Sequence, residues 1–327
     1  MMHQTDSQKP LCSVSLDLDN EWSYLKTHGD TAWTSFPSYL PLVVPRVLDF
    51  LERRKLRITF FIVGQDAALE KNAAALRSIA QAGHEIGNHS FHHEPWLHLY
   101  SRQAMERELA AAEEHITRAT GARPCGFRGP GFSFSQDTLD LLVQRGYAYD
   151  ASTFPTFIGP LARAYYFMRS RLNRSELRRR KALFGNPRDG LRPNRPYRWD
   201  LPSGQLLEIP VTTMPGFRLP MHASYVIYLA SFSRWLARAY FRCAILLCRL
   251  SGTQPSLLLH PLDFLGAEDN KSLAFFPGMH MARESKLAIM HELLDELAAN
   301  YSIVAMDDQA ASVMAHSAMR VRALSPA

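Results

Sequence analysis

Short apolar runs alternate with longer amphipathic stretches along most of the chain. Strand-like runs occupy 12–19, 57–64, 83–89, 206–212, 255–260 and 301–306. Apolar residues recur at helical spacing near 40–54, 66–82, 101–119, 135–145, 224–250, 282–299 and 307–316. Strands that alternate with helices predict a parallel α/β architecture, either open or closed. Gly64, Gly83, Gly121 and Gly146 fall where helical patterns end or strands begin. Residues 155–200 break the rhythm with proline, arginine and aromatics, and we read them as a basic insertion on the same domain. A single domain over 11–316 with flexible termini at 1–10 and 317–327 is expected.

Composition changes this picture little. The 327 residues are 46% apolar and 21% charged, which excludes a disordered or fibrous protein. Four cysteines without CxxC spacing point to a reduced, cytoplasmic compartment. No basic start followed by an apolar stretch is visible, so no signal peptide is expected. No run of 18 apolar residues lacks a charge, so no membrane span is expected.

Charge is more informative. The net +6 is concentrated at 163–198, where twelve Lys/Arg stand against Glu176 and Asp189, and the remainder is slightly acidic. A basic stretch on an acidic body points to an anionic partner: a membrane surface, a phosphorylated substrate or nucleic acid. No nucleic-acid-binding module accompanies it, which ranks that partner last. Residues 225–250 add an apolar helical pattern with Arg234, Arg238, Arg242 and Arg249 within about 80° of arc. Such a helix either lies at a membrane interface or presents its arginines to solvent.

Several residues carry chemistry. In a strand at 12–19, Ser13, Ser15, Asp17 and Asp19 share one face and Val14, Leu16 and Leu18 the other. Two carboxylates at a strand's C-terminal end are costly in an ordinary core, and that end is where parallel α/β folds gather catalytic groups. Five of thirteen histidines lie between 84 and 98. His89 and His93, four apart, face the same way on a helical turn and can share a metal with a carboxylate, while His92 offers an i,i+3 alternative. Arg128, beside the Gly129-Pro130-Gly131 turn, can hold a carboxylate bidentately. His260 ends the apolar strand at 255–260, a suitable place for a general acid.

Taken in order, these features resemble the polysaccharide deacetylases, the family 4 carbohydrate esterases. The resemblance rests on Asp17-Leu-Asp19, His89-Ser-Phe-His-His93, Arg128-Gly-Pro130 and Leu257 to Pro261. It covers roughly 12–135 and 205–305, in a form similar to peptidoglycan deacetylases and lipid-linked aminoarabinose deformylases. It implies a distorted (β/α)7 barrel and one divalent metal, usually zinc, bound by Asp19, His89 and His93. It further implies Asp17 as catalytic base oriented by Arg128, His260 as general acid, and Gly129, Pro130 and Gly131 against the substrate. Gly131 stands where many relatives carry an aromatic, and Trp199-Asp200 is the candidate for the family's remaining motif. The implied reaction is hydrolysis of the N-acetyl or N-formyl amide of an amino sugar, in a polysaccharide or a lipid-linked saccharide. The implied place is the cytoplasm, peripheral to the inner membrane face. A non-catalytic relative that binds saccharide or membrane is the alternative.

Overall fold

Leu11–Leu18 forms β1, and its two faces separate as the alternation requires. Val14, Leu16 and Leu18 enter the largest apolar cluster, whereas Ser13, Ser15 and Asp17 are buried outside it. The computed structural model describes residues 9–158, 187–315 and 319–324. β1 is flanked in parallel by β2 (Thr59–Ile62) and β8 (Ser256–Leu259). Beyond β2 follow β3 (Glu85–Asn88), β4 (Gly126–Phe127), β5 (Tyr149–Asp150) and β7 (Gly204–Glu208), all parallel. The strand order β7-β5-β4-β3-β2-β1-β8 is therefore a run of seven parallel strands. β9 (Ser302–Val304) pairs with the start of β1.

No continuous ladder joins β7 to β8 among the described residues. The chain just after β7 nevertheless reaches β8. Thr212 N–H donates to the Ser256 carbonyl at 3.1 Å, and Ser256 N–H donates to Thr212 Oγ1 at 2.8 Å. The sheet thus curls into a barrel whose last junction is a short seam.

Helices cover the outside. In α2 (Leu40–Glu52) the buried Leu40, Val43, Val44, Val47, Phe50 and Leu51 keep the 3–4 spacing of a core-facing stripe. α4 (Glu70–Gln81), α5 (Arg102–Thr120) and α6 (Gln136–Gln144) follow the expected segments, with α3 (Gly64–Ala67) before α4 and α1 (Glu21–His28) after β1. Inside the barrel, space comes from two glycines. A Cβ on Gly87 would lie 2.5 Å from the Phe61 ring, and one on Gly126 2.1 Å from the Tyr149 ring. Neighbouring strands therefore supply the aromatic filling of the barrel.

Four expectations need correction. The single helix at 224–250 is two, α7 (Ala223–Ala230) and α8 (Arg234–Ser251), because Ser233 caps the second through its hydroxyl. The arginine stripe of α8 meets α9 (Arg283–Asn300): Arg234 and Arg238 reach Glu292 at 2.5 and 2.6 Å, and Arg242 reaches Glu296 at 3.0 Å. These arginines remain about half-exposed or more while paired, and α8 also exposes Trp235, Leu236, Leu246 and Leu250. Tyr197–Leu201, expected within the insertion, is β6, antiparallel to β7. Val321–Ala323, expected in a flexible terminus, is β10, because the edge of β6 offers it free backbone partners. Most of the basic run, including Arg163 to Lys181, lies outside the described residues. No helix among them is long and apolar enough to cross a membrane. After β9, α10 (Met306–Ala315) sets Met306 within the cluster that holds Phe61 and Tyr149.

Candidate active site

Five of the residues singled out for chemistry lie at or just past the C-terminal end of a parallel strand. Asp17 and Asp19 belong to the end of β1, His89 follows β3, Arg128 follows β4 and His260 follows β8. The β1–β8 register pairs Leu16 with Leu259, which sets His260 beside Asp17 on the next strand.

Arg128 is fully buried, and its charge is satisfied rather than stranded. One Nη donates to Asp17 Oδ1 at 2.6 Å and to Ser15 Oγ at 2.9 Å, while Nε donates to the Ala151 carbonyl at 3.0 Å. The guanidinium also lies 4.3 Å from the Phe61 ring centroid. A buried ion pair costs desolvation of both partners, so its worth here is orientation: Asp17 is held in one pose.

The second carboxylate gathers the imidazoles. Asp19 Oδ1 is 2.8 Å from His93 Nε2 and 3.4 Å from His89 Nε2. His89 Nδ1 contacts the Arg128 carbonyl at 2.6 Å; a carbonyl only accepts, so Nδ1 carries a proton. Nε2 is the nitrogen that faces Asp19 and could ligate a metal on losing its own proton. Burial alone would raise the Asp19 carboxyl, but the His93 charge and hydrogen bonds from both imidazoles outweigh it and hold it well below the usual range. For His89, burial pulls downward, and Asp17 and Asp19 raise the ring above its ordinary value.

No helical turn carries His89 and His93. Ser90 and His93 both adopt left-handed backbone, with φ of 60° and 53°, and these two bends fold the loop back on itself. Buried Glu108 of α5 fixes the loop by accepting the Phe91 and His92 N–H groups at 2.9 and 2.6 Å. The same carboxylate takes His92 Nδ1 at 2.7 Å and draws that ring outward, to 54% side-chain exposure. The structure thus separates His93 from His92, which spacing left open. His84 and His98 are held elsewhere, by the Ile58 N–H and by Ser133 Oγ.

Asp19, His89 and His93 are the one group of metal-capable side chains found among the described residues, with ligand atoms within 4.8 Å of one another. Two imidazole nitrogens and a carboxylate oxygen suit zinc with open positions. The His89–Arg128 carbonyl bond is the kind of outer support that such ligands use.

His260 Nδ1 lies 3.0 Å from Ser224 Oγ at the start of α7. Its backbone N–H donates to Asp263 at 2.8 Å. Burial raises the Asp263 carboxyl against the opposing pull of His260 and the Ser224 hydroxyl. Gly129 N–H donates to Ser152 Oγ at 2.8 Å, and Ser152 Oγ donates to buried Asp150 at 2.6 Å. The turn continues through Gly131 (φ 57°) to Phe132 (φ 62°). Phe132 stacks on Phe154 at 4.7 Å; His222 lies 5.8 Å from Phe154 and 6.1 Å from His260. One position after Gly131, Phe132 therefore supplies an aromatic wall running toward His260. Trp199 donates to buried Glu208 at 2.9 Å and Asp200 is exposed, so that pair stands apart from this cluster. Sequence reasoning missed Ser15, Ser152, Ser224 and Phe132 as site residues. Ser15 alone left a trace, on the polar face of β1.

A nearly closed parallel α/β barrel with a carboxylate–imidazole cluster at its strand ends defines the class. Residues 25–149 match the family model for polysaccharide deacetylase. Over that segment the chain is similar to the polysaccharide deacetylase family. A peptidoglycan deacetylase of Helicobacter pylori is 33% identical over 109 residues, covering 33% of this chain and 36% of that protein. A peptidoglycan-N-acetylmuramic acid deacetylase of Bacillus subtilis is 32% identical over 104 residues, covering 32% and 38%. The chain thus spans little more than a third of the length of these relatives. A solved Mycobacterium smegmatis structure described as a polysaccharide deacetylase shares the fold, with TM-score 0.65 and 22% identity over 100% of this chain and 97% of that one.

Proposed function

We propose that this chain hydrolyses the N-acyl amide, acetyl or formyl, of an amino sugar, with one divalent cation held by Asp19, His89 and His93. The observation that carries the reading is the grouping at one barrel end of those three ligand atoms, the Arg128-pinned Asp17 and the His260 imidazole. A bound zinc ion would supply Lewis-acid polarisation and draw a water's pKa toward ~7. Asp17 accepts the proton of the water whose oxygen bonds to the acyl carbon. His260, Nδ1–H on Ser224, presents Nε2–H to the amine as the C–N bond breaks. The products are a free amino sugar and acetate or formate. Gly129, Pro130 and Gly131 border the substrate, with Phe132 against its apolar face.

For the substrate, we favour a lipid-linked saccharide reached from the cytoplasmic side of an anionic membrane. The exposed apolar face of α8 supports this, since apolar burial at an interface is not screened by salt. The test is turnover of a panel of N-acetyl and N-formyl amino sugars, free in solution and lipid-linked in anionic vesicles, by zinc-loaded protein. Release from lipid-linked members alone is expected; release from free sugars alone removes the membrane reading. Metal-loaded protein that binds but turns over no member is a saccharide-binding relative instead. Within an active enzyme, Ser224→Ala leaves the His260 Nδ1–H without its partner. It should lower kcat about tenfold with KM unchanged, as for a lost hydrogen bond to a charged group. Ser224→Thr, which keeps a hydroxyl, should restore most of the rate, and an equal loss in both variants would reduce Ser224 to packing.

A further inference from the structure

A cleft of about 550 Å³ lies where the segment before β6, the turn after β7 and the chain entering β10 meet. Arg195, Arg218 and Arg320 line it, with no carboxylate among the described lining residues. We infer that this cleft is an anion site for a phosphoryl group.

None of the three guanidiniums has an ion pair or side-chain hydrogen bond among the described residues. Arg46, Arg54, Arg57 and Arg128, by contrast, each meet a carboxylate. Arg218 is the most exacting of the three: its Nη1 is buried without a partner, and burial pushes the guanidinium down from its ordinary value. Arginine stays charged in proteins, so one nitrogen of this cation is shut off from water without a partner among the described residues.

The backbone around it is built rather than loose. Arg218 adopts φ of 57°, uncommon for a residue with a side chain. Four bonds hold that turn. Arg218 N–H donates to the Met214 carbonyl at 2.8 Å and Met214 N–H to the Leu219 carbonyl at 2.8 Å. Thr156 Oγ1 donates to the Arg218 carbonyl at 2.7 Å, and Asn194 Nδ2 to the Thr213 carbonyl at 2.6 Å. The last bond also staples Arg195's segment to the turn. Arg320 is set from the other side, its carbonyl accepting the Arg198 N–H at 2.9 Å.

Three arginines that line one cleft without a carboxylate among its described lining residues repel one another until an anion enters. Each offers a planar fork that matches two oxygens of a tetrahedral anion, and a dianion neutralises more of the excess than a carboxylate does. The group has two natural sources, a phosphorylated saccharide in solution or a phospholipid headgroup. The inference rests on the cleft and its charges and is independent of the deacylase reading.

Isothermal titration of the full chain with inorganic pyrophosphate and with glucosamine 1-phosphate, at two salt concentrations, tests it. Wild type should bind, more weakly at high salt. Arg195→Gln, Arg218→Gln and Arg320→Gln should each weaken binding about tenfold, and the triple variant should abolish it. Arg218→Lys should recover only part, because a point charge lacks the fork. Equal affinity in the triple variant, or no binding by wild type to either probe or to phosphatidic acid vesicles, overturns the site. Should melting curves show Arg218→Gln unfolded, the other two single variants carry the test. Co-sedimentation with phosphatidylcholine vesicles, with and without phosphatidic acid, separates the sources. Binding of glucosamine 1-phosphate supports a soluble ligand, and sedimentation that needs phosphatidic acid supports a headgroup. Asp17→Asn should bind every probe as wild type does, which keeps a failure of this site distinct from a failure of the catalytic one.

Discussion

Asp17→Asn is expected to retain the proposed divalent cation and to lose about 10²–10⁴-fold in kcat, the range for removal of a general base. The amide preserves shape but cannot accept the proton. It also removes the negative partner of Arg128, a guanidinium with no exposure to water. A buried charge deprived of its partner typically costs ~3–5 kcal/mol. Ser15 Oγ and the Ala151 carbonyl remain as acceptors and lessen that loss. The variant should therefore be folded but less stable, and melting separates the two effects. His260→Ala should show a comparable kcat loss and keep its metal, with a smaller stability change because His260 is only half-buried. Elemental analysis alongside turnover checks both. An empty site in Asp17→Asn would make Asp17 a ligand and remove it as the base.

His89→Ala is expected to lose both the metal and the activity. Protein purified without chelator should hold about one equivalent of zinc in wild type and almost none in this variant, with His92→Ala indistinguishable from wild type. Loss in His92→Ala and retention in His89→Ala would reverse the ligand assignment. The pH dependence has a definite sign. Without metal, Asp17 and Asp19 outweigh burial and raise His89, so this ring binds its extra proton more tightly in the folded chain. That contribution to apo stability is complete below the unfolded imidazole value of about 6.5 and is lost as pH rises through the raised folded value. A cation must displace the same proton, so affinity should climb with pH over that window and binding should release protons. Titration in buffers of different ionisation enthalpy reads the release directly.

Where residues obey a period, sequence and structure agree. The alternation of β1 placed Asp17 on the polar face, and the stripe of α2 reached its expected bounds within two residues. Agreement ends where tertiary contacts set the geometry. β4 and β5 are two residues each, too short for any period to show, yet they position Arg128 and Ser152. α1 is short and of mixed polarity, with Asn20 as its cap. The choice between His92 and His93 depends on Glu108, sixteen residues beyond His92 and on another element. The arginines of α8 were visible, but their partners Glu292 and Glu296 lie some fifty residues away. Ser224 gave no signal, since a serine opening a helix is common.

The seam between β7 and β8 divides the barrel unequally. Asp17, Asp19, His89, Arg128 and His260 all belong to the laddered strands β8-β1-β2-β3-β4, where each junction is a run of paired backbone. Across the seam, among the described residues, the Thr212–Ser256 bonds and the Ser224–His260 contact tie the chain after β7 to β8. The continuous backbone ladders therefore lie among the strands that carry these five residues, and the sparse pairing lies on the opposite side of the barrel. Substitutions in the far wall therefore change that side of the barrel without touching the backbone ladders that set Asp17, Asp19, His89, Arg128 and His260 side by side.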